Sequence, residues 1–236
     1  MSVIANHDAG MTLRQAARIA GLSLLVMGVA APFAEFFAYP KVVIPGDIEQ
    51  TARNILASRG LFLAGVFCSL ITLIGDVLVA WAYYVLLMPA NRAVSMLAAW
   101  FRLVHTVIAL SGLLKLVTAF RLLSTPEYRA MFGSDQLHAE VQLLLHSFRY
   151  EWSFGLVFFG IHLGLVGYLV CRSGYIPRTL GVLLALQGLG FLVYCLGPYL
   201  YPQAGLGFLM VTFFGEMIFM PWLLVRGRQI QEPISP

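Results

Sequence analysis

Six stretches of mostly apolar residues, near 17–39, 61–88, 94–120, 152–171, 179–197 and 205–225, constrain this chain more than any other feature. A helix that crosses a bilayer needs about 20 such residues, and each stretch meets that length. Composition agrees: of 236 residues, 60% are hydrophobic and 11% charged, whereas soluble proteins carry roughly 25% charged residues. The expected fold is therefore all-α, a polytopic transmembrane helix bundle filling residues 1–236 as a single integral-membrane domain. Arg14 and Arg18 precede the first stretch as they would a signal peptide. It is too long for one, and Pro32 follows the most plausible small-residue site at Val29-Ala30-Ala31, so it is read as a span.

The formal charge of +4 is small and contains no basic run, which argues against nucleic acid as a partner. An even number of spans puts both termini on one side. With the N-terminus inside, the inner segments hold Arg14, Arg18, Arg92, Arg172, Arg178, Arg226 and Arg228. The outer ones hold Lys41, Arg53, Arg59, Arg121, Arg129 and Arg149, mixed with acidic residues. The short inner loops weigh most, so both termini are expected in the cytoplasm. Cys68, Cys171 and Cys195 share no CxxC spacing and are read as buried small hydrophobes.

Two outer loops carry short interfacial helices. Asp47 with Gln50 is expected to cap one that Gly60 closes, and Ser124-Thr125-Pro126-Glu127 reads as a capping box. Over 136–150, Leu137, Val141, Leu144 and Phe148 recur at helical spacing. That predicts an amphipathic helix at the outer interface leading into the fourth span, as a cap or a lid.

Ionisable residues deep in lipid are costly, about 2.5–3.5 kcal/mol on insertion scales, so they face a partner, water or the bundle interior. Counted from the turn at 89–92, Asp76 in the second span and His105 in the third lie at similar depth, with Arg102 one turn nearer the turn. Ser69, Thr72, Asp76, Ala80 and Tyr83 share one face; Ser95, Ala98, Arg102, His105, Ala109 and Gly112 share another. A close helix pair would bury an Asp76–Arg102 ion pair, with His105 reaching the same carboxylate. His162, Gln187 and Glu216 bring the fourth, fifth and sixth spans to that layer, and Pro221 frees the carbonyl of Met217 beside Glu216. A second layer of Glu35, Lys115 and Glu151, with His146, lies nearer the outside, where long side chains snorkel to water. Gly160, Gly164, Gly167 and Cys171 form a small-residue stripe facing away from His162, suited to close packing inside the monomer or to a homodimer through Gly160 and Gly164.

No pattern names a reaction. There is no HExxH, no pair of histidines at i, i+4 within a span, no CxxCH and no GxSxG. No metal is expected; a transition metal on His105, His162, Asp76 and Glu216, or a haem between the two histidines, is the weaker reading. Acid–base work by Asp76, Glu216 or His105 is what remains.

The stretches FAEFFAYPKVVIPGD (33–47), ASRGLFLAG (57–65), GDVLVAWAYYVLLMPANRAVSMLAAWFRLVHTVI (75–108) and FFGIHLGLVGYLVCRSGYIPRTLGVLLALQGLGF (158–191) resemble an uncharacterised bacterial multi-pass membrane family known only as a domain of unknown function. The turn Arg-Ser-Gly-Tyr-Ile-Pro-Arg at 172–178 is its most distinctive part. The resemblance implies a bacterial plasma-membrane protein and transfers no catalytic residue. Three functions are left open by the residues. The leading one is a polar layer that binds or moves a small solute with proton coupling. The others are an intramembrane enzyme acting on a lipid or isoprenoid-like substrate, and a non-catalytic scaffold or sensor. The partners expected are the bilayer and a small-molecule or lipid ligand.

Overall fold

A computed structural model describes residues 11–200, 209, 212 and 214–230, and among them none is in a strand. The elements are α1 (Leu13–Pro32), a π-helical stretch (Phe33–Ala38), α2 (Tyr39–Val42), α3 (Ile48–Ala57), α4 (Arg59–Leu87), α5 (Arg92–Ser124), α6 (Pro126–Met131), α7 (Ser134–Ser173), α8 (Arg178–Leu200) and α9 (Gly215–Val225). Five helical segments are long and apolar enough to cross a membrane, the first running continuously from Leu13 to Val42. The sixth expected span is represented by α9, whose 11 residues cover about 16 Å; residues 201–208, 210, 211 and 213 lie outside the described part.

Neighbouring helices pack in the order α1, α4, α5, α7, α8, α9 and back to α1, forming a closed ring. Its outer surface is apolar: Phe67, Ile71, Ile74, Leu78 and Trp81 line the outward face of α4, and Val182, Leu186 and Leu189 that of α8. Such a large exposed apolar surface needs lipid around it. Arg14 Nε donates to the carbonyl of Ile230 at 2.9 Å, which places the start of α1 and the end of the described chain on one face. On that terminal face Tyr175 also donates to the carbonyl of Leu86, tying the α7–α8 turn to the end of α4. Gly174 adopts φ +76 to end α7 there, a left-handed conformation that glycine takes without strain.

Inside the ring the apolar core is divided in two. Ala17, Tyr83, Leu86, Leu163, Val166, Leu184, Phe219 and Leu223 belong to the half near the terminal face. Tyr39, Ile55, Phe62, Val66, Leu113, Leu116 and Phe148 belong to the half near the opposite face.

Several local expectations are corrected. Asp47 caps α3 through a 2.8 Å bond from the Gln50 amide, yet Gly60 lies inside the first turn of α4 rather than closing α3, because the chain turns at Ser58 and resumes at once. Thr125 starts α6 without a side-chain bond, so no capping box forms there. The segment at 136–150 is helical and leads straight into the fourth span, as expected. It is the first part of the 40-residue α7, about 60 Å long, held against α3 and α5 by Leu137, Val141, Leu145 and Phe148, with Leu145 replacing Leu144 in the core. Only Cys195 is buried; Cys68 and Cys171 are half-exposed.

The π-helical stretch between α1 and α2 follows from Pro40. Pro40 has no amide proton for the carbonyl of Phe36, and its ring would crowd that oxygen in an α-helix. The turn widens instead, and the Tyr39 amide bonds to Ala34, five residues back.

Candidate functional site

The two apolar halves meet at a layer of polar side chains contributed by five helices. Asp76 lies 11 residues before the end of α4, Arg102 10 after the start of α5, and His162 11 before the end of α7. Gln187 lies 9 after the start of α8 and Glu216 9 before the end of α9. At 1.5 Å per residue all five sit about 13–17 Å from the terminal face, half the depth of a bilayer's hydrocarbon core.

Arg102 is the hub, with a side chain wholly shielded from the surface. Its Nε donates to Asp76 Oδ1 at 2.9 Å, and its Nη2 stands 2.8 Å from the same oxygen. Both approach one oxygen, so the pair is not the parallel fork of a bidentate arginine–carboxylate contact. Nη1 donates to Glu216 Oε1 at 2.8 Å and to His162 Nε2 at 3.1 Å. A guanidinium has no acceptor atom, so Nε2 must present its lone pair. The proton of His162 is then on Nδ1, donated to the carbonyl of Ala98 at 2.8 Å, and the ring is neutral. Tyr83 donates to Glu216 Oε1 at 3.3 Å, and Gln187 Oε1 accepts from the Glu216 amide at 2.8 Å. Aromatic faces close the hub: the guanidinium lies 5.0 Å from the Phe159 ring centre and 5.8 Å from that of Tyr83.

His105 is brought to the layer but does not bond to Asp76. Its Nε2 is 3.8 Å from Oδ2, beyond a direct hydrogen bond, and its ring packs 5.0 Å from Phe159 instead. Tyr83 and the carbonyl of Ala98 are partners that residue type alone did not single out. The one signal for Tyr83 is its place on the Asp76 face of α4, seven residues on.

The outer residues are arranged separately. Lys115 Nζ pairs with Glu151 Oε1 at 2.7 Å, with both side chains more than a quarter exposed. Glu35 lies on the π-helical stretch, and its Oε1 is buried without a hydrogen bond. Gly160 and Gly167 press against Gly188 and Gly181 of α8, while a Cβ at Gly164 would meet nothing within 4 Å.

The chemistry open to the hub follows from its charges. One permanent cation faces two carboxylates and a neutral imidazole, so with both carboxylates ionised the layer carries one uncompensated negative charge. Among the described residues no group of three His, Cys, Asp or Glu side chains is disposed to hold a metal. Both nitrogens of His162 are engaged, so an axial bond to haem iron would require displacing Arg102 or Ala98.

A family model covers residues 19–227, matching a domain of unknown function, DUF4386. The chain belongs to that family. An uncharacterised protein of Archaeoglobus fulgidus is 34% identical over 173 residues, 73% of this chain and 88% of the relative. A family expected to be bacterial thus has an archaeal relative. No solved structure matches.

Proposed function

We propose that this membrane protein binds and moves a small solute through its mid-depth polar layer, with a proton taken up or released by the carboxylates around Arg102. The observation that carries the reading is the sharing of one arginine between Asp76 of α4 and Glu216 of α9. A site that only locked two helices together is balanced by one carboxylate. A second one gives the layer a place for a proton, and it sits on a different helix, so protonation loosens one link of the ring while the other holds. Pro221 follows Glu216 in α9 and weakens the helix beside that link. We further place the protein in a prokaryotic plasma membrane with its terminal face in the cytoplasm, in keeping with the arginines of the short turns.

The test is uptake into liposomes across panels of amino acids, sugars and organic ions, with and without an imposed pH gradient. At least one solute should accumulate with wild type in a gradient-dependent way, and Asp76→Asn should abolish the gradient dependence. Identical traces for wild type and variant across the panels would overturn the reading.

A further inference from the structure

We propose that a file of hydroxyl groups along α4 delivers protons from the face opposite the termini to Asp76, starting at Glu35. This rests on the proton-handling reading of the hub and assigns it an entry route.

The file begins on the π-helical stretch. Widening that turn shifts the register of the residues that follow, and the stretch packs against α4. Glu35 has Oε1 buried without a hydrogen bond, and the ionisable groups acting on it are Arg149 of α7 and Tyr39. One turn further on, the Tyr39 hydroxyl shares a 2.9 Å hydrogen bond with Ser69 Oγ, a bond in which either atom can donate. The bond is sealed from lipid: Tyr39 is 7% and Ser69 2% exposed, with the rings of Phe148 and Phe62 about the tyrosine.

From Ser69 the file continues along the inward face of α4. Thr72 and Asp76 follow at i+3 and i+7, so the Cβ atoms of successive residues stand about 5–6 Å apart on one face. All three are buried. Thr72 Oγ1 donates to the carbonyl of Cys68 at 3.0 Å, which leaves its lone pairs to accept from the Ser69 side. Bridging waters complete the file between Glu35 and Tyr39 and between Ser69 and Thr72, and rotation of the Thr72 hydroxyl away from the Cys68 carbonyl then passes a proton on toward Asp76. Each hydroxyl gives up one proton and takes one from behind, so after a transfer Glu35 has lost a proton, Asp76 has gained one, and the hydroxyls are restored by rotation. At Asp76 the groups that face the arriving proton are Arg102, His105 and, through Arg102, Glu216.

The test uses the full chain in lipid nanodiscs, following the infrared carboxylic-acid band of the hub after a rapid drop in pH. The band is assigned by its loss in Asp76→Asn and Glu216→Gln. Replacing Ser69 by Ala together with Thr72 by Val should slow the rise of the band about tenfold or more, with the final amplitude unchanged. Tyr39→Phe, which keeps the ring, should slow it independently and serves if the double variant does not fold. Wild-type rates in Tyr39→Phe or in the folded double variant would overturn the route while leaving the hub intact. No band removed by Asp76→Asn or Glu216→Gln would overturn the hub's proton-handling role, and the route with it.

Discussion

Arg102 shows how much a single buried cation organises. Its charge is permanent, so the chain must supply compensating acceptors wherever it is placed. The structure supplies Asp76, Glu216 and His162 from three other helices. Removing it leaves two carboxylates facing each other in a dry layer, so Arg102→Met should destabilise by about 3–5 kcal/mol, read from unfolding in mixed detergent micelles. Tyr83→Phe removes one long bond to Glu216 and should cost about 1 kcal/mol. Lys115→Met breaks a pair at a wetter position and should cost about 1 kcal/mol or less. Equal stability of Arg102→Met and wild type would mean that the hub contributes nothing to holding the ring. Asp76 and Arg102 were legible as partners because depth along two helices of a hairpin is counted directly in residues. The missing His105–Asp76 bond was not, because a gap of 3.8 Å depends on side-chain direction and on the neighbouring Phe159.

At the scale of elements, α7 and α8 approach most closely where glycines face each other. A Cβ at Gly188 would lie 2.4 Å from the carbonyl oxygen of Gly160 and 2.9 Å from the amide of Gly164. Those are backbone atoms that cannot swing away, so Gly188→Ala should destabilise by about 1–3 kcal/mol. A Cβ at Gly164 would have nothing within 4 Å, and Gly164→Ala should be neutral or gain up to about 1 kcal/mol from helix propensity. Equal losses at the two sites, in the same unfolding assay, would contradict the observed α7–α8 register. The stripe itself was readable as a close-packing face. Its occupant was not, since the same pattern suits a neighbour in the chain or in a second copy. The run of α7 was legible too: apolar spacing over 136–150 pointed to a helix leading straight into the fourth span, and the backbone runs unbroken from Ser134 to Ser173.

For the whole molecule, the ring of helices puts the 89–92 and 172–178 turns on the terminal face and α6 on the opposite one. In a background with Cys68, Cys171 and Cys195 replaced by Ala, a membrane-impermeant maleimide added to intact cells should label Met131→Cys and spare Arg172→Cys until the membrane is opened. The reverse pattern would invert the orientation, and labelling of both from outside would contradict the ring. The sequence by itself determined that the chain crosses a membrane in helices, where most of them run, and that five carry a polar group at one depth, because each of these is a property measured along one axis at 1.5 Å per residue. Only the tertiary structure decided that Arg102 is shared between Asp76 and Glu216, that His162 is neutral, and that Gly160 and Gly167 meet α8. Those facts depend on how each helix is rotated about its axis and which neighbour it meets, and that is settled by packing between segments far apart in the chain.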